Sequence, residues 1–114
     1  MKLLWVVNII LPQAAHILNE NESAFGGWIS QMVNQLSKKP DIELAVVAKS
    51  DKVNDVKKHL HGNVTYYFVP QRNGNKYDVE EKYCNYVLQD WNPEILHTEG
   101  TETQFTFRML NLWK

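Results

Sequence analysis

Leu3–Ile10 reads Leu-Leu-Trp-Val-Val-Asn-Ile-Ile, an apolar run interrupted only by Asn8 and too short for a core helix. A run this rich in β-branched and aromatic residues has no wet face. It therefore predicts a strand buried on both sides, as in a parallel sheet. Such a strand constrains everything that follows it. Both sheet faces need covering, and neighbouring parallel strands must be joined by crossovers.

The remaining sequence is readable in those terms. Pro12 stops the first strand, and Gln13–Ser23 is a polar loop with at most one helical turn at Ala14–Leu18. Phe25, Trp28, Ile29, Met32, Val33 and Leu36 follow at i, i+3, i+4, i+7, i+8 and i+11, which predicts an amphipathic helix over Gly26–Lys38. Ile42–Ala48 is a second buried strand. Asp51–His61 reads as a short helix, with Val53, Val56 and Leu60 inward and Gly62 closing it. Val64–Val69 is a third strand ended by Pro70, and Gln71–Lys76 is a turn centred on Asn73-Gly74-Asn75. Tyr77–Trp91 carries Val79, Tyr83, Val87 and Trp91 at i+4 steps and reads as a helix ended by Asn92-Pro93. Glu94–His97 is a fourth strand. After Gly100, Thr101 or Thr103 caps a last helix bearing Phe105, Phe107, Met109, Leu110, Leu112 and Trp113.

The order is β-α-β-α-β-α-β-α. The expectation is an α/β fold: a three-layer, Rossmann-like, doubly wound domain on a parallel sheet of at least four strands in the order 3-2-1-4. At 114 residues there is room for one domain, residues 1–114. The last helix is apolar over much of its surface and stops at Trp113-Lys114. That leads us to expect a fragment of a longer protein, with a dimer as the other way to cover the exposed face.

Charge and cysteine usage narrow the function. Twelve basic against thirteen acidic residues leave a formal charge of -1, which argues against a nucleic-acid partner and against an acidic disordered tail. The single cysteine, Cys84, excludes an internal disulfide, a cysteine zinc cluster and a CxxC redox pair. No apolar run reaches the length of a membrane span. Met1-Lys2, the apolar Leu3–Leu11 and Gln13-Ala14-Ala15 also have the outline of a signal peptide. The stretch is at the short end for one, and Asn8 breaks it, so the strand reading is preferred.

In an open parallel sheet, ligands bind beyond the carboxyl ends of the strands, where the strand order reverses. Here that point falls between the first and fourth strands. It gathers Asn8, His16 in the long loop, the helix start at Gly26-Gly27, and the segment from His97 through Glu99 to Thr101 and Glu102. Two glycines at a helix start let an anion approach unpaired backbone N–H groups and the positive end of the helix dipole. A tight turn with close helix packing accounts for the same pair. His97 and Glu99 share one strand face. They suit hydrogen bonding to sugar hydroxyls or proton transfer, and a half-buried histidine beside a solvated helix start is the plainer alternative. Two such ligands are too few for a metal site, so none is expected, and no cofactor motif is present. Tyr66, Tyr67 and Phe68 alternate as strand residues, Cys84 reads as core, and His59 and His61 read as solvated.

Three stretches together carry a family resemblance. Leu4–Pro12 (Leu-Trp-Val-Val-Asn-Ile-Ile-Leu-Pro), Phe25–Ile29 (Phe-Gly-Gly-Trp-Ile) and Asn92–Glu102 (Asn-Pro-Glu-Ile-Leu-His-Thr-Glu-Gly-Thr-Glu) resemble the N-terminal domain of family 4 glycosyltransferases, which have the two-domain GT-B architecture. The resemblance implies a retaining transferase that moves a sugar from a nucleotide-sugar donor to a saccharide or lipid-linked acceptor, without a further cofactor. It implies surface polysaccharide synthesis in the cytoplasm or peripherally at the inner face of the membrane. In that family the N-terminal domain binds mostly acceptor, and the C-terminal domain, nothing of which matches here, holds most of the donor. By the same resemblance Gly26 and Gly27 lie near the donor phosphates and His97 is the first histidine of a His-x-His motif. Glu99 stands where the second histidine would be. The 114-residue chain alone is expected to be inactive. Two other classes fit the element order: a non-catalytic flavodoxin-like binding module, and another GT-B nucleotide-sugar enzyme such as an epimerase. A receiver domain fits poorly, because Asn8 and Val69-Pro70 stand where its acidic residues would be.

Overall fold

The computed structural model describes residues 1–7, 35–36, 38–50, 53–61, 63–72, 75–98 and 104–113. Six strands and two helices are assigned among them: β1 (Lys2–Val7), β2 (Glu43–Ser50), β3 (Lys57–His61), β4 (Val64–Arg72), β5 (Asn75–Val79), α1 (Glu81–Trp91), β6 (Ile95–Thr98) and α2 (Gln104–Leu112). The strands lie side by side as β3-β4-β2-β1-β6, with β5 paired to β4 at its far end. The pairs β1–β2, β1–β6 and β2–β4 are parallel, while β3–β4 and β4–β5 are antiparallel. The fold is therefore α/β with a mostly parallel sheet.

Alternation along the central strands sorts their side chains into two cores. Trp5, Val7, Leu44, Val46, Ala48, Val64, Tyr66 and Phe68 form one face, with Leu36, Ile42 and Val53 packed against it. Leu4, Val6, Ala45, Val47, Tyr67 and Val69 form the other, under Cys84, Val87 and Leu88 of α1 and Phe105 and Met109 of α2. Leu4, Val6 and Val7 are fully buried. Each stabilises the fold by about 1.5–3 kcal/mol relative to exposure, which is why the first apolar run reads so clearly as a two-faced strand.

Four sequence expectations are corrected. Residues 57–61 are a strand and not the end of a helix. Lys57 to His61 run antiparallel to Phe68 to Val64, and Leu60 is 71% exposed rather than inward. The pair His61 and Val64 leaves two residues between the strands, and Asn63 there has φ 55°. Asparagine tolerates this left-handed region, and a type I′ hairpin turn needs it at its second central position. Val53 and Val56 do contact the core. They lie on the chain that rounds the end of the sheet, and each packs on a different face.

The second correction concerns Pro70, which does not end the third expected strand. β4 continues to Arg72, and Pro70 lies opposite Ser50 of β2. It falls between the stretch paired with β3, which stops at Phe68, and the stretch paired with β5, which starts at Gln71. A proline is tolerated at such a break in a ladder.

The third correction lies just beyond. Residues 77–79 belong to β5, and the helix begins only at Glu81. Glu80 is extended, and its carbonyl accepts the N–H groups of Tyr83 and Cys84. Asn92 ends the helix as expected. It adopts φ 53° and ψ 62°, and its N–H donates to the Leu88 carbonyl at 2.9 Å. Fourth, no helix is assigned in the described part of residues 51–61, so the strict β-α alternation is broken between β2 and β4. The N-terminal part of the helix expected over Gly26–Lys38 lies outside the described residues, as do the caps expected at Thr101 or Thr103. Gln35 and Leu36 are helical. No helix among the described residues is long and apolar enough to cross a membrane.

Candidate functional site

β1 lies between β2 and β6, so the carboxyl ends of β1 and β6 are adjacent. The position of β6 is set by contacts at its start. The Glu94 N–H donates to the Lys2 carbonyl at 2.8 Å, and the Glu94 carboxylate accepts from the Lys2 N–H at 3.2 Å. The indole of Trp91 donates to the Leu3 carbonyl, and that of Trp113 donates to the Pro93 carbonyl. The C-terminal ends of both helices are thereby tied to the β1–β6 seam.

From this anchored start, register carries His97 to a defined place. It lies beside Trp5, with Thr98 beside Val6. The His97 and Trp5 rings stack at 4.3 Å between centroids and 30° between planes. Trp5 is buried and His97 is half-buried, so the indole fixes the imidazole plane while the ring keeps access to solvent. His97 is thus on the sheet face that Leu36 covers, and Leu96 contacts the opposite core. Asn8, His16, Gly26, Gly27, Glu99, Thr101 and Glu102 lie outside the described residues. Among the described residues, no group of three or more His, Cys, Asp or Glu is placed to hold a metal ion.

Two polar clusters were not singled out in the sequence. Asp78 of β5 is buried. It accepts two hydrogen bonds from Arg108 of α2, Nε to Oδ1 at 3.1 Å and an Nη nitrogen to Oδ2 at 3.0 Å. This bidentate pair raises the affinity of Arg108 for its proton, first through the hydrogen bonds and then through the Asp78 charge. Next to it, burial pushes the Cys84 thiol up to about 12, which leaves it an inert core residue at neutral pH.

The second cluster joins β3, β4 and α1. Tyr67 donates its phenol to Asp90 Oδ2 at 2.6 Å, and the Lys58 ammonium reaches the same oxygen at 2.9 Å. Burial, and then the bond to Asp90, push the Tyr67 phenol well above its usual range. The hydrogen bonds from Tyr67 and Lys58 hold the Asp90 carboxyl below its own. Neither cluster contains a residue of the expected site. The partners in both are far apart in sequence, so periodicity carries no signal of them.

Comparison of the chain with protein-family models, with curated proteins and with solved structures finds no significant match.

Proposed function

We propose that this chain is a three-layer, Rossmann-like domain forming the N-terminal, acceptor-side half of a retaining GT-B glycosyltransferase that uses a nucleotide-sugar donor. The observation that carries the reading is the placement of His97. It is held face-on by Trp5, near the carboxyl end of the strand that flanks β1 on the side away from β2. An open parallel sheet binds its ligands at such a position. In this reading His97 hydrogen-bonds a hydroxyl of the transferred sugar and Glu99 receives another. Gly26 and Gly27 let the donor phosphates approach the start of the first helix, and Asn8, His16, Thr101 and Glu102 border the acceptor. The remaining donor contacts come from a second, C-terminal domain, and the enzyme works in the cytoplasm or at the inner face of the membrane.

The test is a titration of the chain with UDP-glucose and with GDP-mannose, followed by the His97 ring resonances. One of the two is expected to shift them, and Gly27→Val is expected to abolish the shift without changing the melting temperature. Transfer or hydrolysis by the chain alone is expected to be absent, because the leaving phosphate lacks most of its partners. Turnover by the chain alone, or an unmoved His97 with both nucleotide sugars, overturns the reading.

A further inference from the structure

A second concave site lies on the α1 side of the sheet, away from His97. Asn54, Asp55 and Val56, on the chain rounding the end of the sheet, face Lys82, Tyr83 and Tyr86 of α1 across an open groove of about 290 Å³. That is near the lower end of the size range for small-molecule sites. Tyr86 is half exposed, which leaves an aromatic surface available beside Val56, Tyr83 and the polar groups of Asn54, Asp55 and Lys82. Among the described lining residues, the cation Lys82 lies over the Tyr83 ring at 5.0 Å, and the carboxylate Asp55 accepts the Val56 N–H at 2.8 Å. The two charges cancel, and each is already engaged. A phosphate would meet a single, partly committed ammonium beside a carboxylate, so an anionic ligand is poorly served.

We propose that this groove binds a neutral saccharide. A pyranose has an apolar C–H face that stacks on an aromatic ring, and a rim of hydroxyls that both donate and accept. Tyr86 supplies the platform. The Asn54 amide supplies a donor and an acceptor, Asp55 Oδ2 supplies a second acceptor, and the Tyr86 hydroxyl completes the rim. The inference stands on the groove alone and does not rest on the transferase reading. A saccharide bound here needs neither a nucleotide nor His97.

The experiment is a titration of the chain with methyl glucoside, methyl galactoside, N-acetylglucosamine and maltose, read from the backbone amide shifts of residues 54–56 and 82–86. At least one sugar is expected to shift them with millimolar affinity, as an open site of this size allows. Tyr86→Ala should weaken that binding by about twofold to twelvefold, the range expected for loss of one aromatic contact. Tyr86→Trp, which keeps a stacking surface, should preserve it. Far-UV circular dichroism of each variant checks that α1 is intact, and Asn54→Ala, outside the helix, provides an independent loss of affinity. The proposal is overturned if none of the sugars moves these amides, if Tyr86→Ala binds like the parent, or if inorganic phosphate shifts the same amides more strongly than any sugar. His97→Ala is expected to leave the binding unchanged, which separates this groove from the nucleotide-sugar site.

Discussion

The two flanks of the sheet are built on different principles. On one side of the central pair, β6 joins β1 in parallel, arrives by way of a helix and places His97 against Trp5. On the other side of β2, β4 is parallel to it but is bordered by two antiparallel partners, β3 and β5. The first flank is a helix-connected unit whose strand and helices carry their own periodic signals. The second is made of two hairpins whose outer strands have almost no pattern of their own. Lys-Lys-His-Leu-His in β3 has a single apolar residue, and it points into solvent. A lysine-rich edge of this kind discourages pairing with another chain. The difference teaches that a strand buried on both faces announces itself, whereas an edge strand is defined by the neighbour it pairs with.

If that contrast is right, the most damaging single change should be at the tie between the flanks. Asp78 belongs to the hairpin side and Arg108 to the helix that follows β6. Arg108→Ala leaves the Asp78 carboxylate buried without the guanidinium, keeping the bond from the Val79 N–H. The expected loss is about 3 kcal/mol, the low end for a broken buried pair, because Arg108 keeps part of its side chain in water. Urea denaturation of the two proteins measures it. A loss below about 1 kcal/mol, no more than an exposed pair contributes, would mean that the flanks are stable independently.

A smaller effect is expected where β3 meets α1. Tyr67→Phe removes the phenol that donates to Asp90, and should cost about 1.5 kcal/mol at neutral pH, the low end for a hydrogen bond to a charged group. Its pH dependence has a definite sign. The Asp90 carboxyl is held below its ordinary value in the fold. Its contribution is therefore complete above the unfolded pKa of about 3.9 and lost as pH falls through the lower folded value. The gap in stability between parent and variant should close below about pH 4. A gap that stays constant down to pH 2 would show that packing of the ring edge, and not the charge on Asp90, is responsible.

The smallest expected effect discriminates most sharply between the two readings of residues 57–61. Leu60→Thr exchanges an exposed residue for one that favours strands and disfavours helices. In β3 the melting temperature should hold or rise, with a change in stability within about 0.5 kcal/mol. A loss of about 0.5 kcal/mol or more is what helix propensity would produce, and would return this segment to the helical reading.

Both misread segments did carry a local signal, though not the one that periodicity tests. Gly62-Asn63 and Asn73-Gly74 each span two residues between paired positions, His61 with Val64 and Arg72 with Asn75. Two-residue loops of this composition are strong hairpin signals. Spacing of Val53, Val56 and Leu60 at three and four residues imitates a helix face and competes with the turn signal. The candidate site was legible to a lesser degree. His97 is legible as a polar residue near a strand end, but its stacking partner is not, because Trp5 reads simply as core.

The residues alone determined the α/β class, the central buried strands β1 and β2, the helix that ends at Asn92, and the apolar face of α2. In each case the side chains that bury the element are local and periodic, so their pattern survives in one dimension. Only the tertiary structure decided that β3 and β5 are strands, that Pro70 lies within β4, and that Asp78 meets Arg108 across an interval of 30 residues. Those outcomes depend on backbone ladders and ion pairs between distant segments. Their free energy exists only once the partners have been brought together, and no local periodicity encodes it.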